Sequence, residues 1–437
     1  MSNFDTLGLS ETLTRALAEG GFETPTPIQA RAIPLALEGR DVLGLAQTGT
    51  GKTLAFGLPL IDRMLAKPGR PAPRTAKALV LAPTRELVNQ IADNLKAITG
   101  KTRIKVSTVV GGQSLNRQIN MLEKGTDILV ATPGRLIDLM DRRAVDLSQV
   151  GNLVLDEADQ MLDMGFIHAL RKIAPALGTP RQTMLFSATM PKQMEELSRA
   201  YLTNPEKVQV TPPGKAADKV TQSVHFLSKA DKPAMLREIL DKEPEALTLV
   251  FGRTKHGSEK LKRQLEKDGY NVASIHGNKS QGQRDRAIAG FRSGEITILV
   301  ATDVAARGID IPGVAYVINY DLPEVPENYV HRIGRTARAG REGEAIAFCT
   351  AEDVDLLRQI QRLMKIEIPV ASGPNMLAHA GSSEAASKPR SGGGRRRGGG
   401  GGNGNAGKGG EGRKPQQNAG APGNGARRRR PRRKPAA

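Results

Sequence analysis

Short apolar runs recur through the first half of the chain, at residues 41–46 (DVLGLA), 78–82 (ALVLA), 105–110 (KVSTVV), 127–131 (DILVA), 152–156 (NLVLD) and 183–187 (TMLFS). Four more follow at 247–251 (LTLVF), 271–275 (NVASI), 296–301 (ITILVA) and 315–319 (AYVIN). Runs this continuous, alternating with segments of helical period, predict parallel strands buried on both faces and covered by helices. The expected fold is α/β, with two domains. Between the two sets, Pro212, Pro213 and Gly214 interrupt any regular element in polar surroundings. This places a first domain at 1–209, a linker at 210–219 and a second domain at 220–370.

Polar motifs begin where apolar runs end. In order they are AQTGTGKT (46–53), PTREL (83–87), GG (111–112), TPGR (132–135), DEAD (156–159) and SAT (187–189). The second set carries GRTK (252–255), HG (276–277), ATDVAARGID (301–310) and HRIGRTARAG (331–340). Open parallel sheets bind ligands at the carboxyl ends of their strands, so the placement itself points to chemistry, with two sheets facing each other across a cleft.

Composition adds a third region. Residues 371–437 hold 15 Lys or Arg against 2 Asp or Glu, which is +13 of the chain's +19, and contain no Phe, Tyr or Trp. Such a stretch buries too little to fold and is read as a disordered basic tail. It is either a solubilising linker or an arm for polyanions, nucleic acid first among them; RRRRPRRK also has the composition of a nuclear address. The lone Cys349 excludes an intramolecular disulfide and any multi-cysteine zinc site, which fits a reducing cytosol. The six histidines show no metal-ligand spacing. No apolar run approaches a bilayer span and the start has no signal-peptide pattern, so a soluble cytoplasmic protein without a membrane partner is expected.

In AQTGTGKT, Gly49 and Gly51 let backbone N–H groups turn toward phosphate, Lys52 supplies a fixed positive charge, and Thr53 offers a hydroxyl to Mg²⁺; Ala46 stands where the usual pattern has Gly. Asp156, at the tip of an apolar run, is placed to hold Mg²⁺, and Glu157 to orient and deprotonate water. The plainer reading of these carboxylates is a solvated acidic turn, which the buried LVL just upstream disfavours. Arg335 and Arg338, three apart and in the other domain, offer positive charge to a transferring phosphoryl group once the cleft closes; surface arginines are the plainer alternative. Together these residues describe an ATPase gated by domain closure.

The ordered series PTPIQ, AQTGTGKT, PTREL, GG, TPGR, DEAD, SAT, ATDVAARGID and HRIGRTARAG resembles the DEAD-box ATP-dependent RNA helicases over about residues 4–368. The short core, HGNKSQ and the basic Gly/Arg tail are most similar to the bacterial RhlE-type group. The resemblance implies two tandem RecA-like domains, with ATP and Mg²⁺ as cofactors and local, sequence-independent remodelling of RNA duplexes and RNA–protein complexes. It implies an ATP site of Phe4, Phe22, Gln29, Ala46, Gln47, Thr48, Gly49, Thr50, Gly51, Lys52, Thr53 and Asp310. Phe22 would stack on adenine, Gln29 would bond its edge, and Phe4 would support them.

It further implies interdomain coupling through Asp303, His331, Ser187 and Thr189, the last two by hydrogen bonds with Asp159. RNA contacts would come from Pro83, Thr84, Arg85, Gly111, Gly112, Thr132, Pro133, Gly134 and Arg135, and from Arg253, Gly277 and Thr302 in the second domain. These types suit backbone rather than base recognition. Ala337 departs from the family, which commonly has Gly there. Ribosome-assembly or RNA-decay complexes are the partners implied for the tail. An ATP-dependent RNA clamp or annealing chaperone, and a DNA helicase, remain the alternatives.

Overall fold

The computed structural model describes residues 3–46, 49–100, 102–210, 220–309, 311, 313–337 and 342–379. Gln47, Thr48, Asp310, Arg338, residues 211–219 of the expected linker and residues 380–437 of the expected tail lie outside them.

Seven strands form the first sheet: β1 (Val42–Leu45), β2 (Ala76–Leu81), β3 (Val106–Val109), β4 (Thr126–Ala131), β5 (Asn152–Leu155), β6 (Gln182–Ser187) and β7 (Glu206–Gln209). Seven more form the second: β8 (Val220–Phe226), β9 (Leu247–Phe251), β10 (Val272–Ile275), β11 (Ile298–Ala301), β12 (Val314–Asn319), β13 (Gly343–Cys349) and β14 (Val370–Ser372). Their spatial orders are β3-β4-β2-β5-β6-β1-β7 and β10-β11-β9-β12-β13-β8-β14, the same topology used twice. Every pairing is parallel.

Each central strand is buried on both faces, as the apolar runs require. In β2, Ala78 and Val80 enter one core cluster while Leu79 and Leu81 enter the cluster on the opposite face; β4 divides in the same way at Ile128 and Val130 against Leu129 and Ala131. In the second sheet Leu299 and Ala301 face one cluster, Ile298 and Val300 another. A fully buried side chain such as Leu79 contributes about 1.5–3 kcal/mol. A one-residue slip would exchange the two faces of a whole strand.

The ten strands expected from apolar runs are present. Four were not visible in the pattern, and each has a physical reason. β7 and β14 are edge strands with exposed positions, while β8 alternates buried with more exposed residues (VTQSVHF). β13 is buried but built largely from Gly, Ala and Phe rather than branched residues. Regular structure also continues beyond residue 370, through β14 and a helical turn at Met376–His379.

The register sets the site. Leu81 lies opposite both Ala131 and Leu155, Leu155 opposite Leu185, and Leu45 opposite Ser187. β2, β3, β4 and β5 therefore end level while β1 and β6 run two residues further, and the residues after them line one carboxyl edge.

Candidate functional site: a nucleotide pocket and a basic groove between two sheets

After β1 the chain turns through Gly49 and Gly51, whose φ angles of 80° and 87° are open to glycine at little cost. Lys52 then starts the helix Lys52–Ala66, so its ammonium and the helix N-terminus address the same space. Asp156 and Glu157 leave β5 beside it, both almost fully buried. The Lys52 Nζ lies 3.6 Å from Asp156 Oδ1, and among the described residues neither this Nζ nor Glu157 Oε2 has a hydrogen-bond partner. Asp156 accepts the Glu157 N–H at 3.0 Å. Burial pushes both carboxyls upward in pKa; Lys52 opposes this at each, and Arg335 also does so at Glu157. Glu157 holds a left-handed backbone (φ 51°), a conformation costing a non-glycine residue on the order of 1 kcal/mol or more.

These groups line a cavity of about 380 Å³ together with Phe22, Gln29, Gly49, Gly51 and Thr53. Phe22 is 47% exposed on the rim. Gln29 is buried, donating to the Gly51 carbonyl at 3.0 Å and accepting the Thr26 N–H at 2.8 Å. Its amide keeps one further donor and one further acceptor site. Phe4 is buried in the core behind the pocket and is not among its lining residues. Ala46 closes β1, its N–H bonding the Ser187 carbonyl at 3.0 Å.

Asp159 accepts three hydrogen bonds at one oxygen: from the N–H groups of Ala188 (3.1 Å) and Thr189 (2.8 Å) and the Thr189 hydroxyl (2.9 Å). The expected bond from the Ser187 hydroxyl is absent, because that group donates to the Thr189 carbonyl at 2.7 Å and closes a tight local turn.

The second sheet supplies the opposite wall. Arg335 and Gly308 line the same cavity as Lys52 and the carboxylates. Arg335 is buried and donates to the Ile309 carbonyl at 2.7 Å. His331 is half-buried, its Nδ1 covered and without a partner among the described residues; desolvation lowers its pKa, against an upward pull from Asp159 and Glu157 across the cleft. Asp303 is held from two sides by Arg332, at 2.5 Å and 2.7 Å. Sequence reasoning missed Arg332, although it adjoins His331 in a motif already singled out.

The row extends away from the pocket over β2, β4 and β3. Pro83, Thr84, Arg85, Gly111, Thr132, Gly134 and Arg135 line a second cavity of about 500 Å³, and Gly277 joins them from the end of β10. Gly112 lets Arg85 lie against the backbone: with φ 75°, a Cβ there would sit 2.1 Å from the guanidinium. Pro133 is the buried first residue of the helix Pro133–Asp141. Thr302 precedes the short helix Asp303–Ala306 and does not line the cavity. Nor does Arg253, whose guanidinium pairs with Asp353 at 2.8 Å.

The sequence also gave no sign of the contacts that join the sheets here. Arg284 pairs with Glu86 at 2.8 Å, Arg85 bonds Gln281 at 2.8 Å, and Arg307 pairs with Asp163 at 2.9 Å. Lys279, Gln281 and Arg284 line the groove.

Two family models match, "DEAD/DEAH box helicase" over residues 26–197 and "Helicase conserved C-terminal domain" over residues 231–340. The DEAD-box ATP-dependent RNA helicase CshA of Bacillus subtilis is 43% identical over 373 residues, covering 85% of this chain and 74% of that protein. The RNA helicase CrhR of Synechocystis is 44% identical over 375 residues, with 86% and 75% covered. Among solved structures, S. cerevisiae Dbp5 bound to RNA and ADP BeF3 is similar with a TM-score of 0.77 and 33% identity, over 85% of this chain and 96% of that one. Mss116p bound to ssRNA and AMP-PNP gives 0.77 and 28%, over 89% and 83%.

Proposed function

The chain belongs to the DEAD-box family of ATP-dependent RNA helicases, with two tandem RecA-like domains, and from that premise we propose that ATP and RNA jointly close the domains and that closure completes the catalytic site. The supporting observation is that Arg335 and Gly308 of the second domain line one cavity with Lys52, Asp156 and Glu157 of the first.

In this reading the Gly49–Gly51 turn, Gln47, Thr48, Thr50 and Lys52 cradle the phosphates. Phe22 stacks on adenine with Phe4 behind it, while Gln29 uses its remaining donor and acceptor on the base edge. The donor set fits Mg²⁺, which takes oxygen ligands: the buried Asp156 carboxylate and the Thr53 hydroxyl line the same cavity. Bound there with the nucleotide, the ion would offset phosphate charge. Glu157, with an unpartnered oxygen at the pocket, orients water and takes its proton. Arg335, with Arg338 and Asp310 beyond the described residues, faces the phosphates and ribose. Each ligand favours the closed state only as far as it binds that state better.

RNA lies in the groove of about 500 Å³, held through its backbone by glycine N–H groups, hydroxyls and Arg85 and Arg135, and in the second domain by Gly277, Thr302 and Arg253. A bent strand there separates from its partner locally. Asp159, Ser187, Thr189, Asp303 and His331 connect the two cavities. Among the described residues no helix is long and apolar enough to cross a membrane, and a cytoplasmic role follows from this reading. We assign the RhlE-type group on the short core, HGNKSQ and the tail, and the tail to ribosome-assembly or RNA-decay complexes.

The test is ATP hydrolysis by Arg335→Ala with RNA and with DNA of the same sequence. Stimulation by RNA that persists undiminished in the variant refutes closure gating; equal stimulation of the parent by DNA refutes RNA specificity.

A further inference from the structure

Because the two sheets share one topology, every strand of the second has a counterpart seven strands earlier. The counterpart of β1 is β8, and each is followed by a loop and then a helix whose first residue is a buried lysine: Lys52 in one, Lys232 in the other. The counterpart of β5 is β12; Asp156 follows the first directly and Asp321 follows the second after Tyr320, each donating its N–H to the last residue of the neighbouring strand, Leu81 or Phe251. The second domain thus holds a copy of the lysine–aspartate pair of the nucleotide site.

The copy is closed. Lys52 stands 3.6 Å from Asp156 without a hydrogen bond. Lys232 donates to Asp321 Oδ1 at 2.9 Å and to the Tyr320 carbonyl at 2.6 Å, with its ammonium 5.3 Å from the Tyr320 ring centroid. The loop before it, LSKAD at 227–231, has no glycine to turn N–H groups toward phosphate. Lys232 is buried and Asp321 half-buried, and an ion pair taken out of water in this way is often no more stabilising than apolar residues of the same size.

What the pair does hold is position. The other Asp321 oxygen accepts the Arg253 N–H at 3.0 Å, and the Asp321 carbonyl accepts from Arg332 at 2.6 Å. Arg332 in turn bonds Asn319 at 2.9 Å and grips Asp303. It lies on the helix Pro326–Ile333, which carries His331 and leads to Arg335. One residue, Asp321, therefore joins the strand end bearing Arg253 to the helix that presents Arg335 to the nucleotide pocket.

We propose that Lys232 and Asp321 are positioning residues which transmit RNA occupancy at Arg253 to Arg335. This rests on the reading of Arg253 as an RNA contact and of Arg335 as acting on ATP. By it, the second domain's disused nucleotide corner became the joint between its RNA face and its ATP face.

The full chain carrying Lys232→Met is compared with the parent in ATP hydrolysis, over a range of RNA concentrations and without RNA. The half-saturating RNA concentration should rise about fivefold or more, the lower end of usual coupling factors, and stimulated turnover should fall, while hydrolysis without RNA is unchanged. Asp321→Asn should behave alike, and Lys232→Arg should recover much of the loss. Leu236→Ala, which weakens the same helix through its buried face, should lower thermal stability and leave RNA dependence as it was. In the double variant with Arg253→Ala, Lys232→Met should add less than about twofold, since coupled residues are not additive. Normal RNA dependence in Lys232→Met, an equal loss in Leu236→Ala, or additivity in the double variant overturns the proposal alone if Arg253→Ala is itself impaired. An Arg253→Ala variant with parental RNA dependence overturns the reading of Arg253 and the proposal with it.

Discussion

A methyl group on Gly308 would project from the second domain into the first. Its Cβ would stand 2.1 Å from Thr84 Oγ1 and 3.1 Å from the Leu87 backbone N and Cβ. Thr84 caps the helix Arg85–Thr99 by accepting the Leu87 N–H at 3.2 Å, so turning its hydroxyl aside would cost that cap, about 1 kcal/mol. Otherwise the domains must separate. Gly308 also has φ 75°, and alanine in that conformation costs roughly 1–2 kcal/mol. That strain falls on open and closed states alike if the loop keeps its shape. Only the overlap with Thr84 distinguishes them, and overpacking of this kind costs typically 1–3 kcal/mol. Gly308→Ala should therefore lower the closed population about 5- to 150-fold. The assay is RNA-stimulated ATP hydrolysis at subsaturating ATP and RNA, with thermal unfolding of the ligand-free protein to show that both domains remain folded. A folded variant with parental RNA stimulation would refute the argument that this contact belongs to the catalytically competent arrangement.

Glu157→Gln should keep ATP and RNA binding but lower turnover by about 10²-fold or more, since positioned proton transfer contributes typically 10²–10⁴-fold; normal steady-state hydrolysis would remove Glu157 from that role. Burial keeps His331 neutral with a lowered pKa. Its contribution to stability should be intact above its ordinary pKa and decline as pH falls from about 6.5 toward the lowered value; unfolding measured from pH 7.5 to 5.5 should show less of this decline in His331→Asn. Ala337 adopts φ 54° where the family commonly has Gly, so Ala337→Gly should raise stability by roughly 0.5–1 kcal/mol, after the glycine's extra unfolded-state entropy is subtracted; chemical denaturation reads the change. Removing residues 380–437, with their 15 Lys or Arg, should weaken RNA binding and flatten its dependence on salt, while unwinding by the core persists. An unchanged salt slope would take the tail out of RNA binding.

Much of the nucleotide half was legible because its chemistry is local. Gly49, Gly51, Lys52, Asp156 and Glu157 follow soon after apolar runs, and the parallel register brings those run ends to one edge, within two residues of each other. The groove was legible in part for the same reason, since three adjacent strand ends of the first sheet, and that of β10 in the second, carry motifs that line it. What could not be read depends on closure or on competition between partners. Glu86 and Arg284 look like ordinary helix-surface charges until two helices 198 residues apart meet. The Asp353 carboxylate that holds the Arg253 guanidinium lies 100 residues away and could not be anticipated, and Ser187 looks like a partner for Asp159 until its own turn satisfies it. Edge and alternating strands such as β7, β8 and β14 lack the continuous apolar signal that buried strands carry.

The division of the pocket has a consequence during synthesis. The first sheet, both of its core clusters, and Lys52, Asp156 and Glu157 all lie within residues 4–210. N-terminal domains generally fold first as a chain emerges, at about 5–20 residues per second, so some 6–25 seconds separate completion of that sheet from the appearance of Arg335. On the proposed roles, a nascent chain in that interval would carry the nucleotide-binding residues but lack those that commit it to hydrolysis. If Arg335 acts as proposed, translation of the second domain is the safety catch as well as the trigger, and an unfinished polypeptide would not burn ATP beside the ribosome that is making it.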